Sequence, residues 1–112
     1  MKQPDEASTL FVYGSLLDPA LRERIIGRRV ATIEATLHGY ERGRARHYFV
    51  RKRAGAATPG LLLLELDRRD FGVIDEYEEV PTLYTREKVE VSIDGGRVRC
   101  WAYLPTSATV PP

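Results

Sequence analysis

The chain has little of the chemistry that supports disulfides, metal clusters or general attraction to nucleic acid. Its 112 residues include one cysteine, Cys100, and two histidines, His38 and His47. A single cysteine excludes an intrachain disulfide and a cysteine-rich zinc site, and the two histidines lack the spacing of a helical metal pair. The formal net charge of +1 argues against a whole-domain nucleic-acid binder. We expect a reduced, cytoplasmic setting and no metal.

Long hydrophobic runs are also missing, since the apolar stretches are only a few residues long. The sequence therefore predicts neither a membrane span nor a signal peptide. What remains is an ordinary globular composition, 43% apolar and 29% charged. The length suffices to bury a core without disulfides or metal. We interpret residues 1–112 as one domain whose core spans about residues 9–104.

The most informative segment is the apolar run Leu10–Tyr13, which leads directly into Gly14-Ser15. Its continuous hydrophobicity predicts a strand over 9–13 that is buried on both faces. Asp18-Pro19 predicts a helix start shortly after the turn. Free backbone N–H groups in such a turn favour an anionic or carbonyl oxygen, so Tyr13–Leu16 is a candidate binding cradle. The alternative is a core strand that merely ends in Gly-Ser.

The remaining pattern predicts an α+β fold. Asp18 and Asp67 are typical helix caps, Gly27 and Pro81 are typical stops, and Gly39 is expected to end a strand. The predicted helices cover 19–26 and 68–79, and the predicted later strands cover 30–37, 48–50, 61–66, 88–93 and 98–104. Asp94-Gly95-Gly96 predicts a hairpin turn between the last two. Because strands outnumber helices, we expect a small, curled, barrel-like sheet, mixed or mostly antiparallel, with two short-to-medium helices.

Between Glu41 and Arg53 the chain becomes basic. Six arginines and lysines face one acid in this run, and Tyr48, Phe49 and Val50 lie among them. The pattern favours a short strand flanked by solvated, arginine-rich loops. Binding of phosphates or nucleic acid, with the aromatic rings as stacking surfaces, is the alternative.

The second predicted helix contains the candidate catalytic group. At 100° per residue, Glu78 falls between Phe71 and Ile74 on the apolar face, whereas Glu76 and Glu79 point towards solvent. A carboxylate on such a face is costly unless it is hydrogen-bonded or its pKa is shifted. Desolvation raises a glutamate pKa towards neutrality, which suits a general base. The alternative is that Glu78 extends outward or caps a loop.

Three tyrosines, Tyr13, Tyr84 and Tyr103, offer polar groups near strand ends, although tyrosines at such positions more often serve packing. Ser15 is a poor candidate for a nucleophile, because the sequence around it lacks the second glycine of a nucleophile elbow. The lone Gly14 also excludes a Walker loop and a dinucleotide-binding fingerprint.

Taken in order, these pieces resemble the γ-glutamylcyclotransferase-like superfamily, and most closely its AIG2-like and γ-glutamylamine cyclotransferase branch. The matching segments are Phe11-Val12-Tyr13-Gly14-Ser15-Leu16, Leu37-His38-Gly39-Tyr40, Gly60 with Leu61–Leu66, Ile74-Asp75-Glu76-Tyr77-Glu78, Tyr84-Thr85-Arg86 and Trp101-Ala102-Tyr103. One departure is Tyr48-Phe49, where members often carry Tyr-Pro, and it leaves a loop at the pocket edge unpredicted.

The resemblance implies an enzyme that cyclises a γ-glutamyl amine or amino compound to 5-oxoproline and releases the amine. It implies that Glu78 is the catalytic carboxylate and that Tyr13, Gly14, Ser15 and Leu16 form the substrate loop. We predict that Tyr84 and Tyr103 also bind the substrate. The implied partner is a small γ-glutamyl molecule, with no cofactor, nucleic acid or membrane. The alternative is a binding or regulatory module that keeps the fold without turnover.

Overall fold

The computed structural model describes residues 4–111, which form five strands, two α-helices and two short 3₁₀ turns. The strands are β1 (Leu10–Val12), β2 (Thr32–Arg44), β3 (Tyr48–Leu63), β4 (Tyr84–Ile93) and β5 (Gly96–Pro105). The helices are α1 (Pro19–Ile26) and α2 (Arg68–Tyr77), and the 3₁₀ turns are Glu6–Ser8 and Ser15–Leu17.

The strands close into a barrel in the order β1-β3-β2-β4-β5. Neighbouring strands are antiparallel except β1 and β5, which run parallel with Leu10 opposite Trp101. β2 and β3 form one long hairpin, and β4 and β5 form a second with its turn at Asp94-Gly95, as the sequence predicts. The expected α+β fold, with a small mixed barrel and two helices, is confirmed.

β1 is buried on both faces, as its continuous hydrophobicity predicts. Phe11 faces a core inside the barrel, where it meets apolar side chains from the other four strands. Leu10 and Val12 face a second core, which includes Phe71 and Ile74 of α2. Because apolar burial drives folding, packing on both sides holds this strand firmly. The residues that directly follow β1 are therefore held in place at the barrel end.

Both helices begin where their capping residues predict. The Asp18 carboxylate accepts a hydrogen bond from the Ala20 amide at 3.0 Å. Asp67 and Asp70 form a reciprocal capping box, in which each side chain accepts a hydrogen bond from the other residue's amide. α2 ends at Tyr77 rather than Glu79, so Glu78 is its C-terminal cap and not a residue of its body.

The prediction was wrong in the basic segment. Gly39 does not end β2: with φ at 82° it absorbs a register shift between His38 and Tyr40, and the strand continues. Glycine adopts this conformation without the steric cost of a Cβ, so the strand bends instead of stopping. β3 likewise joins the strand predicted over 48–50 to the first half of the one predicted over 61–66, and it ends at Leu63 rather than Leu66. The arginines therefore lie along a hairpin and its turn, not in loops around a short strand.

Candidate active site

The turn after β1 contains backbone amides that have no hydrogen-bond partner among residues 4–111. It is a single 3₁₀ turn, in which the Leu17 amide bonds the Gly14 carbonyl at 3.0 Å and the Asp18 amide bonds the Ser15 carbonyl at 3.1 Å. No hydrogen bond within residues 4–111 is donated by the amides of Gly14, Ser15 or Leu16. Such amides stabilise an oxygen that carries negative charge. The candidate cradle therefore has the donors that its sequence suggested.

Gly14 is required here by close approach to the neighbouring hairpin. A Cβ on Gly14 would lie 2.9 Å from Cβ of Tyr48, the first residue of β3. That distance is well inside ordinary contact, so either the turn or the strand would have to move. The Tyr48-Phe49 pair, whose conformation the sequence left open, thus begins β3, with Tyr48 against the cradle and Phe49 buried.

A cavity of about 330 Å³ opens beside this turn. The structure brings together every residue that the sequence predicted for the site, and all of them line this cavity: Tyr13, Gly14, Ser15, Leu16, Glu78, Tyr84 and Tyr103. It is of the size that holds a small metabolite. The catalytic and substrate-binding roles of these residues stay predictions.

Glu78 reaches the cavity from the C-terminal end of α2. Its amide bonds the Ile74 carbonyl at 2.8 Å, which continues the helical pattern by one residue and fixes the direction of the side chain. Burial raises the pKa of Glu78 to about 7, from an ordinary value of 4.5. Neighbouring Glu76 and Glu79 are exposed, as the helical wheel predicts. At neutral pH Glu78 is therefore divided between a carboxylate that takes a proton and an acid that gives one.

Three tyrosine hydroxyls near Glu78 each donate their single proton to an oxygen atom of another residue, not of Glu78. Tyr13 donates to the Tyr103 carbonyl at 2.5 Å, Tyr84 donates to the Tyr48 carbonyl, and Tyr103 donates to Oδ1 of Asp75 at 2.5 Å. A phenol has one proton and two lone pairs, so each of these oxygens is left as a hydrogen-bond acceptor. We call Glu78 and these three tyrosines the inner wall. It suits a ligand that brings protons, such as an ammonium group.

The tyrosines of the inner wall stay protonated near neutral pH. Burial, followed by the charge of Glu78 among smaller effects, raises the pKa of Tyr84 to about 12. Burial also raises the pKa of Tyr13 above its usual range. For Tyr103, burial and then the hydrogen bond to Asp75 have the same effect. Their hydroxyl protons therefore remain on their fixed acceptors across the physiological range.

Asp75 is itself held by an ion pair. Its Oδ1 lies 3.1 Å from Nε of Arg86, and its Oδ2 lies 3.3 Å from a terminal nitrogen of the same guanidinium. The guanidinium also stacks over the rings of Phe71 and Trp101, at 4.5 and 4.7 Å from their centroids. A two-point, stacked arginine of this kind is geometrically restrictive. It joins α2 to β4 and β5 and so fixes Asp75 beneath Tyr103.

Exposed and half-exposed residues that the sequence did not assign to the site also line the cavity. Arg44, Arg46 and His47, at and around the turn between β2 and β3, line it. We call these three residues the mouth. Interpreting the basic run as a β-hairpin would have predicted their position, because the turn of that hairpin lies at one end of the barrel. Tyr48, Tyr77, Glu79 and Leu83 line the cavity as well.

Among residues 4–111, the hydrogen-bond partner of the Ser15 hydroxyl is another hydroxyl and not a histidine or a carboxylate. The Ser15 hydroxyl forms a hydrogen bond with the Tyr77 hydroxyl at 2.8 Å, at the exposed side of the cavity. Within residues 4–111, no group of three or more histidine, cysteine, aspartate or glutamate side chains is arranged to hold a metal. Over the same residues, no helix is long and apolar enough to cross a membrane.

The sequence pattern of the family described as gamma-glutamyl cyclotransferase, AIG2-like, matches residues 10–111. The chain belongs to this family. The resemblance drawn from the ordered motifs is thereby confirmed, and the protein is a cyclotransferase-like member whose substrate the match does not specify.

Known relatives agree with this assignment. A Methanocaldococcus jannaschii protein named gamma-glutamylcyclotransferase and putative RNase is 31% identical over 107 residues, which are 92% of this chain and 48% of that protein. The chain therefore spans about half the length of that relative. A solution structure from Arabidopsis thaliana has a TM-score of 0.81 at 22% identity, covering 93% of this chain and 72% of that one. A mouse AIG2-like protein has a TM-score of 0.69 at 20% identity, covering 96% and 82%. These two structures share the fold.

Proposed function

We propose that this cyclotransferase-like protein converts a γ-glutamyl amine or γ-glutamyl amino compound into 5-oxoproline and a free amine. The observation that carries the proposal is the position of Glu78, whose pKa of about 7 suits proton transfer, in the same cavity as the free amides of Gly14–Leu16. One group moves protons and the other holds an oxygen of the substrate. The reaction needs both.

The first step is removal of a proton from the substrate's α-ammonium by the Glu78 carboxylate. The ammonium would enter the inner wall, where the oxygens of Tyr13, Tyr84 and Tyr103 accept hydrogen bonds. The deprotonated amine then attacks the γ-carbonyl carbon of the same molecule. The amides of Gly14–Leu16 would hold the α-carboxylate or the oxyanion that develops on the γ-carbonyl oxygen.

The second step is collapse of the tetrahedral intermediate, in which the bond to the leaving nitrogen breaks. Protonated Glu78 delivers its proton to that nitrogen, as a general acid. The Glu78 carboxylate then takes a second proton from the ring nitrogen and passes it to the released amine. One of the three ammonium protons thus stays on the lactam nitrogen, and two leave with the amine as its own ammonium. Glu78 therefore ends the cycle as the carboxylate that began it.

The reaction closes a ring within one molecule, so it needs few catalytic groups from the protein. Holding the amine near its own carbonyl replaces a collision between two molecules with a unimolecular step. The chemistry as written uses no metal, no cofactor and no disulfide. A cytoplasmic setting stays the prediction that the cysteine-poor composition suggests.

The experiment is a panel of γ-glutamyl amines, γ-glutamyl amino acids and glutathione, incubated with the protein and assayed for 5-oxoproline. At least one substrate should release 5-oxoproline and its amine in equal amounts. Glu78→Gln should lower kcat by about a hundredfold or more, because general acid–base catalysis contributes about 10²–10⁴. Glu76→Gln is the matched control, since Glu76 is exposed on the same helix and does not line the cavity.

Two results would contradict the proposal. Turnover that survives Glu78→Gln would remove Glu78 from the reaction. A thermal shift with 5-oxoproline, without product from any substrate, would favour the alternative of a binding or regulatory module on this fold.

A further inference from the structure

Arg22 is a buried charge that the proposed reaction does not use. It lies in α1, it is 8% exposed, and it does not line the cavity. Within residues 4–111 it forms no salt bridge. A buried charge is costly unless other groups compensate it. Arg22 is therefore stabilised by groups other than an acid.

The groups that compensate Arg22 are two backbone carbonyls of the turn that contains the cradle. Nη1 of Arg22 donates to the Leu16 carbonyl at 3.0 Å and, at a longer distance of 3.5 Å, to the Leu17 carbonyl. Hydrogen bonds from a charged donor are stronger than those between neutral groups. Arg22 therefore joins α1 to this turn through a single guanidinium nitrogen.

The two carbonyls lead through planar peptide groups to two amides of the cradle that have no partner among residues 4–111. The Leu16 carbonyl shares a peptide group with the Leu17 amide, which bonds the Gly14 carbonyl at 3.0 Å. The peptide group of that carbonyl carries the free Ser15 amide. The second chain begins at the Leu17 carbonyl, whose peptide group includes the Asp18 amide. That amide bonds the Ser15 carbonyl at 3.1 Å, and the same peptide group carries the free Leu16 amide.

The third free amide of the cradle, that of Gly14, is linked to a different arginine. Arg42 is an exposed residue of β2, and its Nη1 donates to the Tyr13 carbonyl at 3.0 Å. The Tyr13 carbonyl and the Gly14 amide belong to one peptide group. Each of the three free amides thus stands at the end of a chain of hydrogen bonds and peptide groups that begins at an arginine.

We infer that Arg22 and Arg42 orient and polarise the three free amides of the cradle, so that these amides bind a negatively charged oxygen more strongly. Successive hydrogen bonds polarise one another, and a cation at the carbonyl end of a chain makes the amide at its other end a better donor. Both arginines are positioning residues, because neither lines the cavity. The inference rests on the proposed function, in which these amides hold an oxygen of the substrate.

The test is kcat/KM for the best substrate of the panel, expressed per folded molecule, with the folded fraction measured by circular dichroism. Arg22→Met keeps an unbranched side chain and removes the charge. It should lower kcat/KM by about tenfold to thirtyfold, less than the loss of about 10²–10³ that follows removal of a whole oxyanion donor. Arg42→Met should cost about fivefold, because it affects one amide. Arg22→Lys should recover most of the loss, since one nitrogen contacts both carbonyls.

Two other arginines provide matched controls. Arg24 is exposed on the same helix, so Arg24→Met removes the same charge and should leave kcat/KM unchanged. Arg28 forms an ion pair with the buried Asp70 carboxylate outside the cavity. Arg28→Met should therefore lower stability while kcat/KM per folded molecule stays the same. The pair of controls separates loss of charge and loss of stability from loss of polarised donors.

A second measurement, amide proton NMR, does not depend on turnover. A polarised amide proton resonates downfield, so the Ser15 and Leu16 resonances should move upfield in Arg22→Met, and the Gly14 resonance should do so in Arg42→Met. Unchanged resonances, or full kcat/KM per folded molecule in Arg22→Met, would overturn the inference and leave the proposed function standing. An equal loss in Arg22→Lys and Arg22→Met would also overturn it, because packing rather than charge would then be responsible. Absence of 5-oxoproline from the whole panel with the unaltered protein would overturn the proposed function itself.

Discussion

The inner wall and the mouth of the cavity are built in opposite ways. The inner wall consists of acceptors: Tyr13, Tyr84 and Tyr103 are 5%, 6% and 3% exposed, and each hydroxyl proton is bound to a fixed partner. The mouth consists of donors, and its arginines are exposed and free of salt bridges in the described structure. A ligand that fits both has a cationic end inside and an anionic end outside.

This difference shows which part of the proposed function depends on atoms held at fixed positions. A group that transfers protons must be held at a fixed distance from its substrate, and the tyrosines around Glu78 are fixed by packing and by their own hydrogen bonds. The exposed arginines of the mouth act on a ligand through their electric field and a few N–H donors, which demands less exact placement. Changes at the inner wall should therefore alter the chemical step, and changes at the mouth should alter substrate preference.

After Glu78→Gln, we expect the largest effect from Gly14→Ala. Gly14 belongs to the cradle and lies against Tyr48, which directly follows the mouth. The new methyl group would lie 2.9 Å from Tyr48 Cβ and would push the cradle and the hairpin apart. We expect a loss of about a hundredfold in kcat/KM, the cost of misplacing a reacting group by about 1 Å. We also expect the free energy of unfolding to fall by about 1–3 kcal/mol through overpacking.

Gly72→Ala is the control for this change. A Cβ at Gly72 meets nothing within 4 Å, and the residue is exposed within α2. It should stabilise the protein by about 0.5–1 kcal/mol and leave turnover unchanged. Chemical denaturation and 5-oxoproline release measure both variants, and a fully active Gly14→Ala protein would show that the cradle tolerates displacement.

A smaller effect is expected from Tyr103→Phe, which removes one acceptor from the inner wall. Asp75 keeps its ion pair with Arg86, so the helix stays in place. The substrate ammonium loses one hydrogen bond, and kcat/KM should fall by about tenfold. Tyr40→Phe, a change of the same size at a tyrosine that does not line the cavity, should have no effect. Equal kinetics for Tyr103→Phe and the unaltered protein would exclude Tyr103 from substrate binding.

Local patterns predicted the parts of this molecule that local forces determine. The run Leu10–Tyr13 is apolar at every position, and the structure buries its strand on both faces. Asp18 and Asp67 cap the helices that their positions suggested. The helical spacing of Phe71, Ile74 and Glu78 predicted the side on which the glutamate lies, where it is half-buried and lines the cavity one residue beyond the helix.

The long β2–β3 hairpin was not predictable in the same way. Gly39 reads locally as the end of a strand, yet the cross-strand pairing of β2 with β3 carries the chain through it. Near Gly39 that pairing joins residues that no short window contains together, such as His38 and Ala57. The sequence did not assign Arg44 and Arg46 to the site, because they reach the cavity only once the hairpin has formed.

The measurement that tests the account most directly is the pH dependence of kcat/KM for the best substrate of the panel. Glu78 must be a carboxylate to accept the first proton, so activity should fall as pH drops below the pKa of about 7. The account predicts a rise of about tenfold per pH unit on the acid side and a plateau above neutrality. A profile that stays flat through neutrality, or whose midpoint lies near the ordinary glutamate pKa of 4.5, would contradict it.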